Sequence, residues 1–166
     1  MLKFIPIAAA ALMSMSAFAV QKDITVTANV DSTVEMLSAD GSALPTTMQM
    51  QYLPGVGLQT ASVNTKIFTN DKSKDLQVRL TEDSPSLKNQ TNPAAPAIPL
   101  KVSLADMELS TAPTKLISQN LFLGELAEGS VALPLSIAQA TPEVVEAGSY
   151  QGLVSVILTQ AAASGG

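Results

Sequence analysis

The chain of 166 residues has no cysteine, no histidine and no tryptophan. Without cysteine no disulfide can brace the fold, so an exported domain of this kind is held by its core alone. Without cysteine and histidine, the usual zinc ligands and the commonest catalytic bases are missing, and those chemistries are almost excluded. Aromatic residues make up only 4% of the chain, which leaves few faces for stacking a sugar. Positive charge is scarce too. Nine Lys and Arg stand against fourteen Asp and Glu, for a net charge of −5 and a pI near 4.5. Nucleic acid and anionic membranes are poor partners for such a surface.

Long apolar runs are also lacking. The one at the N-terminus, from Phe4 to Met13, is too short to span a bilayer permanently. It follows Lys3 and precedes Ala17-Phe18-Ala19, the small-x-small pattern of a signal-peptidase site. Residues 1–19 are therefore predicted to be a signal peptide, cut between Ala19 and Val20. Removing 19 of the 166 residues leaves 147, enough for one domain with a core of its own.

The mature chain is a series of short, often alternating segments separated by turn residues. "VQKDITVTANVD", Val20 to Asp31, puts Val20, Lys22, Ile24, Val26, Ala28 and Val30 on one side and polar residues on the other. Thr33 to Leu37 is brief and apolar, and "SADGSALP" carries the turn signal Asp40-Gly41. Met48, Met50 and Tyr52 alternate with Gln49 and Gln51, and "LPGVG" turns the chain again. "ASVNTKIFTNDKSKDLQVRLT" reads as a hairpin, with arms Val63–Thr69 and Leu76–Leu80 and a tip at Asn70–Lys74. The Pro-, Ser- and Asn-rich stretch 82–99 reads as a surface loop. Strand character returns at "IPLKVSLADMEL" and "VALPLSIAQA", where Pro134 predicts an edge or bulge position. "LISQNLFLGELAEG" fits either a strand pair or a short helix. "GSYQGLVSVILTQ" reads as one C-terminal strand. Seven to nine short strands at this spacing predict an all-β, immunoglobulin-like sandwich.

No motif for catalysis stands out. Asp71, Ser73, Asp75 and Glu82 occupy positions 1, 3, 5 and 12 of a calcium loop, but Leu76 stands where glycine is needed and two lysines intervene. They read as a solvated hairpin tip. "LPTT" at Leu44–Thr47 lacks the glycine of a wall-anchoring signal and reads as a turn. Asn89-Gln90-Thr91 matches a glycosylation sequon and is assigned no role beyond marking a loop. The acidic pairs Glu82-Asp83, Asp106/Glu108, Glu125/Glu128 and Glu143/Glu146 look like ordinary surface acids. The expectation is a protein that is not an enzyme and needs no cofactor or metal.

The two ends carry more information. The last segment offers Tyr150, Leu153, Val154, Val156, Ile157 and Leu158, and only a small-residue tail follows it. An apolar sheet edge left uncovered is an aggregation hazard. The first segment is a strand pattern at a free end. It is either an ordinary first strand or a strand lent to another molecule.

"DITVTANVD", "LSADGSALP", "IFTNDKSKDLQVRL" and "AGSYQGLVSVILT" resemble the major pilins of the alternate chaperone–usher (class 5, or alpha) fimbriae, the colonisation-factor and cable pilins. The resemblance runs along most of the mature chain and is weakest in the Pro-rich middle. It implies an incomplete immunoglobulin-like β-sandwich, residues 32–166, completed by donor-strand exchange with a neighbouring subunit. Residues 20–31 would be the donor strand, inserting Ile24, Val26, Ala28 and Val30, with Val20 near its end. Tyr150, Leu153, Val154, Val156 and Leu158 would line the acceptor groove. The implied partners are identical subunits, a periplasmic chaperone, an outer-membrane usher and a tip adhesin. The implied location is a cell-surface adhesive fimbria reached through the periplasm. Alternatives are a minor or tip-associated fimbrial subunit, or an exported monomeric carbohydrate-binding module. One departure concerns Ser32, where enteric relatives often have proline after Val-Asp; if that proline sets how the extension leaves the domain, the filament's geometry or elasticity differs here.

Overall fold

A computed structural model describes Thr25 and residues 34–160. The proposed donor residues Val20, Ile24, Val26, Ala28 and Val30, and the cleavage pair Ala19–Val20, lie outside the described residues. In chain order the strands are β1 (Val34–Ser38), β2 (Tyr52–Leu53), β3 (Gly57–Leu58), β4 (Ala61–Thr69), β5 (Leu76–Leu80), β6 (Ser86–Asn89), β7 (Ile98–Leu104), β8 (Met107–Glu108) and β9 (Thr114–Leu116). A one-turn helix α1 (Ser118–Leu121) and a 3-10 turn (Leu126–Glu128) follow, then β10 (Leu133–Gln139), β11 (Tyr150–Gln151) and β12 (Val156–Gln160).

The strands form two antiparallel sheets and a small ribbon. The larger sheet runs β1-β4-β10-β7-β6-β11, with β8 also on β7; the smaller runs β12-β5-β9; β2 pairs with β3. Alternation within each strand sends one face inward. Leu76, Val78 and Leu80 of β5 are buried, and so are Leu100, Val102 and Leu104 of β7, while Gln77 and Lys101 point to solvent. The core lies between the sheets, where Ile67, Leu133, Leu135, Val102 and Leu104 of the larger meet Leu76, Val78, Leu80 and Leu116 of the smaller. This is the predicted all-β sandwich of immunoglobulin-like kind.

Several local expectations change. The predicted 63–80 hairpin does not form: β4 pairs with β1 and β10, whereas β5 pairs with β12 and β9. Residues 70–75 carry the chain from one sheet to the other. Both arms alternate, and alternation alone cannot distinguish strands lying side by side from strands facing each other across a core. Pro134 is not on an edge strand, since β10 sits between β4 and β7. Its carbonyl accepts from the Ala105 amide at 2.8 Å, beyond the last β7 pairing at Leu104. A residue's N and O point the same way in a strand, so the missing N–H falls where the β7 ladder has already ended. The Met48–Gln51 stretch alternates in exposure but joins no ladder, and the 82–99 loop contains the short strand β6. The 117–129 segment resolves as helical turns.

The C-terminal strand is broken. β11 pairs with β6 in the larger sheet and β12 with β5 in the smaller, so the chain changes sheets between Gln151 and Val156. The Gly-x-Tyr-x-Gly stretch makes this crossing possible. A side chain at Gly148 would strike the Asn89 amide, and one at Gly152 would strike the Ser86 carbonyl. Gly152→Ala is therefore expected to push β11 off β6 and lower the melting temperature by several degrees, a cost of about 1–3 kcal/mol. Thermal melts monitored by circular dichroism measure it. Asn89 itself is buried, its Oδ1 accepting from the Thr91 and Asn92 amides, so the sequon asparagine is turned inward and is inaccessible in the folded domain.

At the 70–75 tip the two calcium-like aspartates are engaged separately. Asp71 accepts from the Ser73 amide and hydroxyl; Asp75 accepts from the Ser118 amide at 3.0 Å and pairs with Lys115 at 2.8 Å. The hydrogen bond from Lys115, then that from Ser118, hold the Asp75 carboxyl below the ordinary carboxylate value. A lowered folded-state value means the contribution is present above the unfolded value of about 3.9 and is lost as pH falls below it. The stability gap between wild type and Asp75→Asn should accordingly close on acidification through pH 4, as denaturant titrations at pH 7 and pH 3 would read out.

Candidate functional site

The candidate site is the seam, or slot, where two sheet edges lie side by side. β1 ends the larger sheet and β12 ends the smaller, and among the described residues each has one ladder partner, β4 and β5 respectively. The register decides which side chains face inward, because directly paired residues share a face. Val34 and Met36 sit opposite the buried Thr69 and Ile67. Val156 and Leu158 sit opposite the buried Leu80 and Val78. These four residues, with Val154, pack against the core yet are only half buried. Side chains that point into a core and still meet solvent mark the place where that core is least covered.

One end of the slot is closed by Gln160. Its Nε2 donates to Thr69 Oγ1 at 3.1 Å and to the Asp71 carbonyl at 2.8 Å, tying the end of β12 to the end of β4. Thr69 is the partner of Val34, so β1 begins where β12 ends, and the two edges run in opposite directions. At the other end, Leu153 is 75% exposed beside a shallow depression lined by Leu80, Thr81, Glu82, Pro85, Val154 and Ser155. The inward-facing wall residues are uncharged; Glu35 of β1 is on the outer face, opposite Phe68. Such a slot suits an extended segment with apolar side chains at alternate positions.

Of the wall residues read from the sequence, the structure brings Val154, Val156 and Leu158 to the slot. Leu153 stands at its mouth. Tyr150 is elsewhere: it belongs to β11, at the far edge of the larger sheet from β1, and its hydroxyl donates to the Glu146 carbonyl at 2.9 Å. Val34 and Met36, the opposite wall, were not singled out by sequence reasoning. The signal available was only the brief apolar run 33–37, with nothing local to say which distant strand it would lie beside.

The model of the CS1 type fimbrial major subunit family matches residues 20–159. The chain is similar to a CS1 fimbrial subunit of Escherichia coli, at 38% identity over 154 residues, 89% of each chain. It is similar to a CFA/I fimbrial subunit of Escherichia coli O78:H11 (strain H10407 / ETEC), at 36% identity over 155 residues, again 89% of each. Among solved structures, the CooA pilin subunit from enterotoxigenic Escherichia coli superimposes with a TM-score of 0.66 at 37% identity, covering 78% of this chain and 88% of that one. The sandwich, its open edge and these matches agree: the chain belongs to the CS1 type fimbrial major subunit family.

Proposed function

We propose that this protein is the structural subunit of an adhesive surface fimbria and polymerises by placing residues 20–31 of one copy in the β1–β12 slot of the next. The observation that carries the reading is the set of half-buried, inward-facing apolar side chains on two adjacent sheet edges: Val34 and Met36 against Val154, Val156 and Leu158. The donor segment supplies the complementary pattern, Ile24, Val26, Ala28 and Val30, with Val20 near its end. Burying a Val or Ile contributes about 1.5–3 kcal/mol, and each ladder hydrogen bond about 1 kcal/mol net. Ordering the segment costs about 1–2 kcal/mol per residue, so durability of the joint comes from slow, all-at-once release more than from equilibrium affinity.

On this reading the subunit crosses the periplasm after cleavage at Ala19–Val20, with a chaperone shielding the slot until an outer-membrane usher exchanges it for the next extension. A tip adhesin would cap the fibre, and the role is structural rather than catalytic. The match to major-subunit relatives supports the shaft over a minor or tip-associated position. Deleting residues 20–31 is the direct test. The truncated domain is expected to stay monomeric on size-exclusion chromatography and to gain thermal stability when the free peptide VQKDITVTANVD is added. Polymerisation of the truncated domain would overturn the assignment.

A further inference from the structure

We infer that, in the fibre, the β2–β3 ribbon of one subunit packs on the 117–131 segment of the next copy, a body-to-body contact separate from the strand joint. The inference rests on the strand-exchange reading above only for which ends of two copies meet. No charged residue falls between Asp40 and Lys66, although the chain as a whole carries −5. Within that run the ribbon holds Tyr52, Leu53 and Val56 at 45%, 47% and 48% exposure. Acidic subunits repel one another, and a charge-free apolar surface is where two of them approach at least cost.

The ribbon is built to stay in place. Gln139 is buried beneath it; its Oε1 accepts from the Leu58 amide at 3.0 Å, and its Nε2 donates to the Glu143 carbonyl at 3.1 Å. Gly57, at φ +116°, lies so close to that same carbonyl that a side chain would collide with it. Val144, next along the chain, is 61% exposed. Large apolar side chains on a braced platform gain nothing for a subunit standing alone.

The matching surface is the 117–131 segment, where Ile117, Leu123 and Leu126 are 48%, 74% and 42% exposed. It too is held from below. The Ser118 amide donates to Asp75, Lys72 Nζ to the Gly124 carbonyl and Lys66 Nζ to the Glu128 carbonyl, while Ser130 Oγ accepts from the Ile67 amide. Glu125 and Glu128 lie in this segment along with Lys66 and Lys72, which reach its carbonyls; the ribbon itself carries no charge, and the acidic residue beside it is Glu143.

Placement makes the two surfaces a pair. The ribbon joins the start of β4 at Ala61, and the 117–131 segment anchors on Ile67, six residues further on and about 20 Å away along the strand. A contact between opposite ends of identical molecules is heterologous and builds open filaments, not closed dimers. The strand joint brings these ends together. β1 starts at Val34, at the Thr69 end of β4. A donor that continues the antiparallel order of β12-β5-β9 leaves the slot at the Val156 end, opposite Leu80 and away from the 70–75 tip. The copy that owns this donor therefore presents its 117–131 end to the ribbon end of the copy that receives it.

Because the chain has no cysteine, introduced thiols report without background. Leu53→Cys or Val56→Cys is combined with Leu123→Cys or Leu126→Cys, and intact fibres are treated with a short bismaleimide. The expected result is a covalent ladder after boiling in detergent, from at least one of the four pairs and from none of the single variants. A pair that does not assemble is replaced by fibres co-assembled from the two single variants. Fibres labelled at both thiols and giving no ladder in any pair would overturn the contact. Failure of the strand-exchange reading appears separately, as fibres that still form when Val26 is changed to Asp.

Discussion

Val26→Asp is expected to abolish fibre formation while leaving a folded, exportable subunit. In the proposed joint Val26 is the central plug, flanked at alternate positions by Ile24 and Ala28. The substitution removes about 1.5–3 kcal/mol of apolar burial and asks a carboxylate to enter a slot whose inward walls are uncharged, at a further cost of several kcal/mol. Together these exceed what a joint with modest equilibrium affinity can absorb. Residue 26 precedes β1 in the sequence and falls in the proposed donor segment, so the domain itself should be unaffected. Periplasmic extracts should hold chaperone-bound subunit in normal amount, and electron microscopy should find bare cells. Fibres at wild-type density would sink the donor assignment.

Leu104→Ala should have an equally large effect by a different route. Leu104 is fully buried and lies opposite Leu135 of β10 on one side and Met107 of β8 on the other. Truncation leaves a cavity in the core of a domain that has no disulfide to brace it, for a loss of about 2–5 kcal/mol. Domains of this size typically have about 5–15 kcal/mol in total. The subunit should be degraded before assembly, and the purified protein should unfold at markedly lower denaturant. Leu158→Ala makes the contrast. That side chain is only half buried, so the isolated domain should lose less, whereas the completed fibre should dissociate faster in hot detergent. Equal losses in domain and fibre would show that Leu158 belongs to the closed core and not to the slot.

Much of the fold was legible because burial in a two-sheet protein is written at period two. Leu76, Val78 and Leu80, and likewise Leu100, Val102 and Leu104, announce both strand and inward face. What alternation lacks is any record of partners. It presented 63–80 as a hairpin, although β4 and β5 face each other across the core. It presented 150–160 as one strand, although Gly152 lets the chain cross between sheets against the Ser86 carbonyl. Pro134 misled for a related reason: whether a missing N–H is costly depends on where the neighbouring ladder stops, and β7 stops one residue short of it.

The site divides in the same way. Composition and pattern by themselves determined a disulfide-free, acidic, all-β domain with an alternating apolar segment at each end; each of these can be read without knowing which strands pair. Only the tertiary structure decided that β1 and β12 lie side by side, that Val34 and Met36 face inward there, and that Tyr150 sits on β11 at the far edge of the larger sheet. Those facts depend on which strands, far apart in sequence, end their sheets at the same place, and ladder pairing is a relation between segments that neither segment carries alone.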